Sequence, residues 1–388
     1  MSRIEYCARN FQSCARELAA TATADQEATM PISQTRSGIT HTDINDAQID
    51  RRRVVLSGTA LLGAAVLPNG VAGAVDAGLI SAAELLAGVR AFLAKLEPEK
   101  RKVATFTWNG SEWRGWNYFG AAGFIKPGLR LEQMSSEQKV TAWNLLTAVL
   151  SPRGLEKTKN VMTLQDVLAE SGNGTGQRSS ERFSFSVFGT PAEAGAWGFR
   201  LEGHHLTQSI AVRDNRIVSI TPSSFSALPA RITLGKHAGL MTLKDEEALA
   251  RRLVSDLAPR LQQRARQSDS ALNNILSTAG RERANKQKVG VAAADLTTAQ
   301  SDLLWQLVET YTVEHLVSPL AAAQKARVRT GDRNAVHFAW YGQNTPEKAF
   351  GYRVIADGFV IELGSVDPDA QHLHTIYNDL GNVLGSTG

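Results

Sequence analysis

The chain has 388 residues, of which 43% are hydrophobic and 21% charged, enough apolar material for one large core or two ordinary ones. Its net charge is only +4 and no basic run dominates, so nucleic acid is not an expected partner. The candidate nitrogen and sulfur metal ligands are few, eight histidines and two cysteines, and their positions decide which chemistry remains open.

Residues 1–50 are polar and without periodicity, and read as a disordered leader; Met30 offers an alternative start. Residues 51–74, "RRRVVLSGTALLGAAVLPNGVAGA", have the parts of a signal peptide: arginines, an apolar stretch and small residues at Ala72-Gly73-Ala74. Paired arginines ahead of Val54-Val55-Leu56 make it twin-arginine-like, so a periplasmic or secreted protein is expected. Gly58, Gly63, Pro68 and Gly70 interrupt the apolar stretch and argue against a stable membrane span. Cys7 and Cys14 precede Met30, so residues 75–388 contain no disulfide and no thiolate ligand.

Residues 75–388 are expected to form one domain. Leu79, Leu85, Leu86, Val89, Phe92 and Leu96 recur at near-helical spacing and predict a helix over 78–105. The tryptophan-rich "WNGSEWRGWNYF" has no single period; it reads as packing, and as a sugar or aromatic platform only if it lines a cleft. Capping-box spacing at Ser135–Gln138 starts a helix through Leu150, and a further helix spans about 154–170. The pattern then turns to strands, "RFSFSVFG" and the long "WGFRLEGHHLTQSIAV", with a hairpin turn at Asp214-Asn215 into "RIVSI". Helices follow from Thr242 and from the capping-box spacing Thr297–Gln300. A second strand group closes the chain: "NAVHFAWYG", "AFGYRVIA" and "FVIELG". Asp357-Gly358 is its hairpin turn, which sets Arg353 opposite Glu362. Pro368 is expected to open a short helix carrying His372 and His374. The order helices, strands, helices, strands predicts an α+β fold: an antiparallel or mixed sheet with flanking helices in a single compact domain. No repeat of fixed period stands out.

Four of the eight histidines fall in two short stretches, "RLEGHHLTQSI" and "DAQHLH". Strand alternation would put Arg200, Glu202 and His204 on one face, and His205 with Trp197, Phe199 and Leu201 on the other, unless Gly203 carries a bulge. Neutral imidazoles with a carboxylate suit a divalent metal, zinc or iron, so the metal set is His204, His205, His372, His374 and Glu202. Two histidines at i, i+2 on a helix diverge, so His372 and His374 would not both chelate unless that segment is extended. A metal-free site would use His204 as the acid–base group, Glu202 to orient it, and Arg200 or Arg353 to hold an anionic group. A purely structural histidine cluster is the third reading. Gly-x-Ser-x-Gly, phosphate-loop and dinucleotide signatures are absent from residues 75–388.

Five stretches in order, "WGFRLEGHHLT", "TPSSFSALPA", "HFAWYG", "GYRVIADGFVIEL" and "QHLHTIYNDLG", resemble the bacterial and fungal family known as domain of unknown function 3500. With weaker matches at "WNGSEWRGWNYF" and "LLTAVLSPRGLEK", the resemblance spans nearly all of residues 80–385. It implies a fold and the glutamate-glycine-twin-histidine motif, and no established reaction. The expected activity is therefore read from the residues: a metal-assisted enzyme acting on a small molecule, or an exported small-molecule-binding protein without chemistry.

Overall fold

A computed structural model describes residues 80–119, 126–171 and 178–385; the leader, Met30, both cysteines and the signal peptide lie outside them. The chain opens with strand β1 (Ile80–Ser81) and helices α1 (Ala83–Ala94) and α2 (Pro98–Ala104). The single helix expected over 78–105 is thus two, because Pro98 has no N–H to continue α1 and instead starts α2. Strand β2 (Thr105–Phe106), one helical turn α3 (Ser111–Arg114) and β3 (Leu129–Arg130) lead to α4 (Ser136–Thr147) and α5 (Pro152–Glu170). Strands β4 (Ser184–Phe188), β5 (Ala196–Gly203), β6 (Leu206–Arg213), β7 (Arg216–Ser219) and β8 (Ser223–Phe225) follow.

The second half repeats the plan. Helices α6 (Lys244–Asp256) and α7 (Pro259–Ala265) precede β9 (Arg266–Ser268) and β10 (Val291–Ala292). Then come α8 (Thr298–Thr312), α9 (Ser318–Val328), β11 (His337–Gly342), β12 (Phe350–Ile355), β13 (Phe359–Ser365) and β14 (Leu373–Asp379). The strands form one mixed sheet with the central order β10-β11-β12-β13-β14-β8-β6-β5-β4-β2, an α+β fold as expected. Among the described residues no helix is long and apolar enough to cross a membrane.

The helices cover one face of this sheet. Phe92, Leu145 and Val161 of the first half pack with Phe185, Trp197 and Phe199 in the same core as Leu304, Val308, Phe338 and Tyr352 of the second. On the other face Trp113 packs with Phe188 and Ala211, and Trp116 and Tyr118 pack with Ile275 and Ile376. Trp113 and Trp116 are fully buried and donate to Leu384 O and Glu282 Oε1, so the tryptophan-rich segment is packing.

The two halves match in register as well as order. Parallel β2 and antiparallel β3 flank β4, and parallel β9 and antiparallel β10 flank β11. Capping boxes at Ser135/Gln138 and Thr297/Gln300 start α4 and α8. Both glutamines also donate backward, Gln138 to Lys95 O at 2.9 Å and Gln300 to Asp256 O at 2.6 Å, tying each helix to the end of the repeat's first helix. Gly128 and Gly290 hold left-handed φ values of 102° and 91°; a Cβ on either would strike the carbonyl of Phe185 or Phe338, which are matched positions in β4 and β11. Gly198-Phe199-Arg200 on β5 answers Gly351-Tyr352-Arg353 on β12. Four positions beyond each arginine the chain enters a two-residue turn, His204-His205 in one repeat and Asp357-Gly358 in the other. The repeats meet where β8 pairs with β14, Ser223 opposite Tyr377. No fixed period was visible in the sequence because register survives and side-chain identity does not.

Candidate metal centre

Pairing between β5 and β6 runs without a bulge from Ala196↔Arg213 to Gly203↔Leu206. The long strand expected through "EGHHLT" is therefore a tight hairpin, and the twin histidines are its turn. His205 takes a left-handed φ of 67°, a conformation costing a non-glycine residue about 1 kcal/mol or more. Its backbone is fixed on both sides: its N–H donates to Tyr118 O at 2.9 Å and its carbonyl accepts from Ser226 N at 2.8 Å. Gly203 carries no bulge; its missing side chain admits the Phe183 ring, which would lie 2.2 Å from a Cβ there.

The C-terminal pair corrects the expected helix. His374 lies in β14 and His372 at the bend just before it, not on a helix, and both rings reach His205. That removes the geometric objection to both acting together. His372 Nε2 is 3.0 Å and His374 Nε2 3.3 Å from His205 Nε2, and the three residues place one nitrogen each within 4.8 Å of one another. This cluster could hold a metal ion. His205 is fully buried and His374 nearly so; His372 keeps 18% of its side chain exposed and forms the solvent side.

Asn274, unmarked by any motif, orients His374. Ile275 N–H, at 2.8 Å, has no lone pair, so the atom facing it must be the Asn274 amide oxygen. The same oxygen accepts from Tyr118 Oη at 2.9 Å and meets His374 Nδ1 at 3.0 Å. His374 Nδ1 must then carry the proton, leaving the Nε2 lone pair toward the cluster, the arrangement a metal ligand needs. Beyond His372 Nδ1 stands Asp367 Oδ2 at 3.9 Å. His205 Nδ1 is buried without a partner.

The remaining expected site residues are placed as follows. The His204 ring lies tilted against His205, ring centroids 3.7 Å apart, and its Nδ1 accepts from Arg178 Nη1 at 2.8 Å and lies 2.6 Å from the Gln165 amide; it is not in the converging set. Glu202 is not in it either. Its Oε1 accepts from Asn117 N at 2.5 Å, where the chain from Asn117 to Tyr118 crosses the hairpin, and its Oε2 is buried without a partner. Arg200 lies beneath that crossing, bonded to Ser209 Oγ, Glu112 O and Trp113 O, with its guanidinium over the Trp113 and Phe188 rings. Arg353 is likewise consumed by Glu362 and Asn285 O. Both arginines are structural, and neither is free to hold an anionic group. No sequence signal marked Asn274, Gln165 or Arg178; Gln165 lies within α5, and Arg178 follows a glycine-rich stretch of sequence.

Burial keeps the imidazoles neutral. It is the first cause at each: His204 is lowered to about 3, with Arg178 adding to it, and His372 to about 4, again helped by Arg178. His205 and His374 are pushed well below the ordinary range by burial and by their histidine neighbours.

Fold and site together define an α+β protein built from two like halves, with a three-histidine cluster able to bind a metal at their junction. The sequence pattern of the family described as protein of unknown function (DUF3500) matches residues 80–382, and the chain belongs to that family. No curated protein and no solved structure matches it.

Proposed function

We propose that this is an exported metal-dependent enzyme acting on a small molecule, with His205, His372 and His374 as its ligands and zinc or iron as its ion. One observation carries this reading: a hydrogen-bond network alone does not satisfy the three nitrogens. Each Nε2 offers one proton or one lone pair, and His374 Nε2 is committed to a lone pair by Asn274. If His205 Nε2 bears the proton, it serves one neighbour and leaves the other lone pair unmet; if it bears a lone pair, it faces that of His374 at 3.3 Å. A central cation relieves every case. Metal–nitrogen bonds of about 2.0–2.1 Å in tetrahedral geometry put ligand nitrogens about 3.3–3.4 Å apart, close to the observed 3.0 and 3.3 Å.

A divalent ion there would supply Lewis acidity and coordination positions left open for substrate. The chain's own part is to hold three neutral imidazoles, fix the His374 tautomer and keep two of the rings out of water. Export rests on the twin-arginine-like segment at residues 51–74.

Elemental analysis of the purified chain, beside His205→Ala and His374→Ala, tests the reading. Near one equivalent of zinc or iron per chain is expected, lost in both variants while circular dichroism shows them folded. A folded parent that takes up neither ion on reconstitution would leave a metal-free binding protein instead.

A further inference from the structure

The cluster contains no carboxylate; Asp367 stands beyond His372, while the groups on the His204 side are cationic. Arg178 is half-buried, reaches His204 Nδ1 with one nitrogen, and has no acidic partner among the described residues. Through His204, whose ring lies 3.7 Å from that of His205, it stands beside the cluster. Arg178 can only donate, so His204 Nδ1 is the acceptor, and the Gln165 amide that meets it from α5 must turn its nitrogen toward it. Lys126, anchored on Asn117 O at 2.6 Å, adds a second positive charge within reach of His204; burial lowers it to about 8 against the pull of Glu202. A half-buried guanidinium without an acidic partner is costly in a folded chain unless a ligand completes it.

We infer that the site takes a substrate bearing a small oxyanion, a carboxylate or a phosphate, gripped by Arg178 while the neighbouring atoms of the substrate face the three-histidine cluster. The inference rests on the metal reading above and deepens it. Arginine suits the task because its planar fork matches two oxygens at once, and three neutral ligands leave the ion's charge for the substrate to balance. Arg200 and Arg353, the arginines the sequence offered for an anion, are buried in internal contacts, so Arg178 is the guanidinium left for it.

The test uses the full chain loaded with Co2+, whose visible absorption reports both ligation and what enters the site. Acetate, inorganic phosphate and neutral acetamide are titrated into the parent, Arg178→Gln and Arg178→Lys. One of the two oxyanions should shift the parent spectrum, and which one does names the substrate group; acetamide should not. Arg178→Gln should weaken that binding roughly ten- to a hundredfold, the usual scale for a bond to a charged group, and Arg178→Lys should recover part of it. Cobalt bands that ignore both oxyanions, or an Arg178→Gln variant that titrates like the parent, overturn the inference and leave the metal reading standing. Failure of the parent to bind Co2+ overturns both.

Discussion

The two hairpins at matched places in the repeats differ in what their turns are made for. Asp357-Gly358 is the sequence a tight turn prefers, and it connects Ile355↔Val360 in the expected register. His204-His205 makes the same reversal with a residue poorly suited to it, held at φ 67° and fully buried. The arginine four positions before each turn shows a parallel divergence: the cross-strand partner of Arg353 is Glu362 at 2.9 Å, whereas that of Arg200 is the neutral Ser209. One repeat keeps its local rules, and the other breaks them where His372 and His374 arrive. A turn that violates turn chemistry beside two converging imidazoles marks a site under functional demand.

The largest effect should come from the better-paired hairpin. Glu362→Ala leaves the Arg353 guanidinium buried and unpaired and strips the acceptor from Leu276 N and Ser277 N; a loss of about 3–5 kcal/mol is expected by chemical denaturation. Ser209→Ala, at the matched position, should cost only about 1 kcal/mol. Equal losses would refute the contrast. Asn274→Leu comes next: with the His374 tautomer no longer fixed, metal affinity should fall about 10–100-fold by competition with a chelator, and the metal-free chain should lose about 1–3 kcal/mol as the Tyr118 hydroxyl loses its acceptor.

A third comparison concerns the start of α9, where His315 stands at the position Val149 holds before α5. His315 is buried with both ring nitrogens unpartnered and is lowered to about 3, by burial first and then by Lys157. Its folded value lies below the unfolded 6.5, so the unfolded state binds the extra proton. The stability tied to its neutral form is present above pH 6.5 and is lost as pH falls toward 3. Melting temperature measured across that window should drop less steeply in His315→Phe than in the parent. The smallest effect is a swap of turns: His204→Asp with His205→Gly should abolish metal binding yet gain up to about 1 kcal/mol in stability, since glycine accepts the left-handed φ. A swapped chain less stable than the metal-free parent would deny that the twin-histidine turn is strained.

Much of the frame was legible. Both capping boxes, the turn at Asp214-Asn215 and the Arg353–Glu362 register follow from spacing rules that act within a few residues. The histidines were legible as a group but not as a geometry. Nothing local distinguishes "GHHL" in a turn from "GHHL" in a strand, since what bends it is the carbonyl of Tyr118 and the amide of Ser226. The same holds for His374, which β13 pairing draws into a strand although Pro368 suggested a helix, and for His372 at the bend before it. Glu202 was the natural partner by proximity in sequence, and a distant backbone amide claimed it. The repeated Gly-aromatic-Arg of Gly198-Phe199-Arg200 and Gly351-Tyr352-Arg353, and the Ser-Pro starts of α5 and α9, were the traces from which the duplication could have been read.

His205 belongs to the first repeat, and His372 and His374 to the second, 167 residues further along. Neither half alone has enough nitrogens for the site. An ion bound there would act as a reversible staple across the seam at Ser223 and Tyr377, closing a loop that spans most of the fold. The described residues contain no cysteine to cross-link. Loading would therefore do for the two halves what a disulfide does elsewhere, and a chelator would undo it without a reductant.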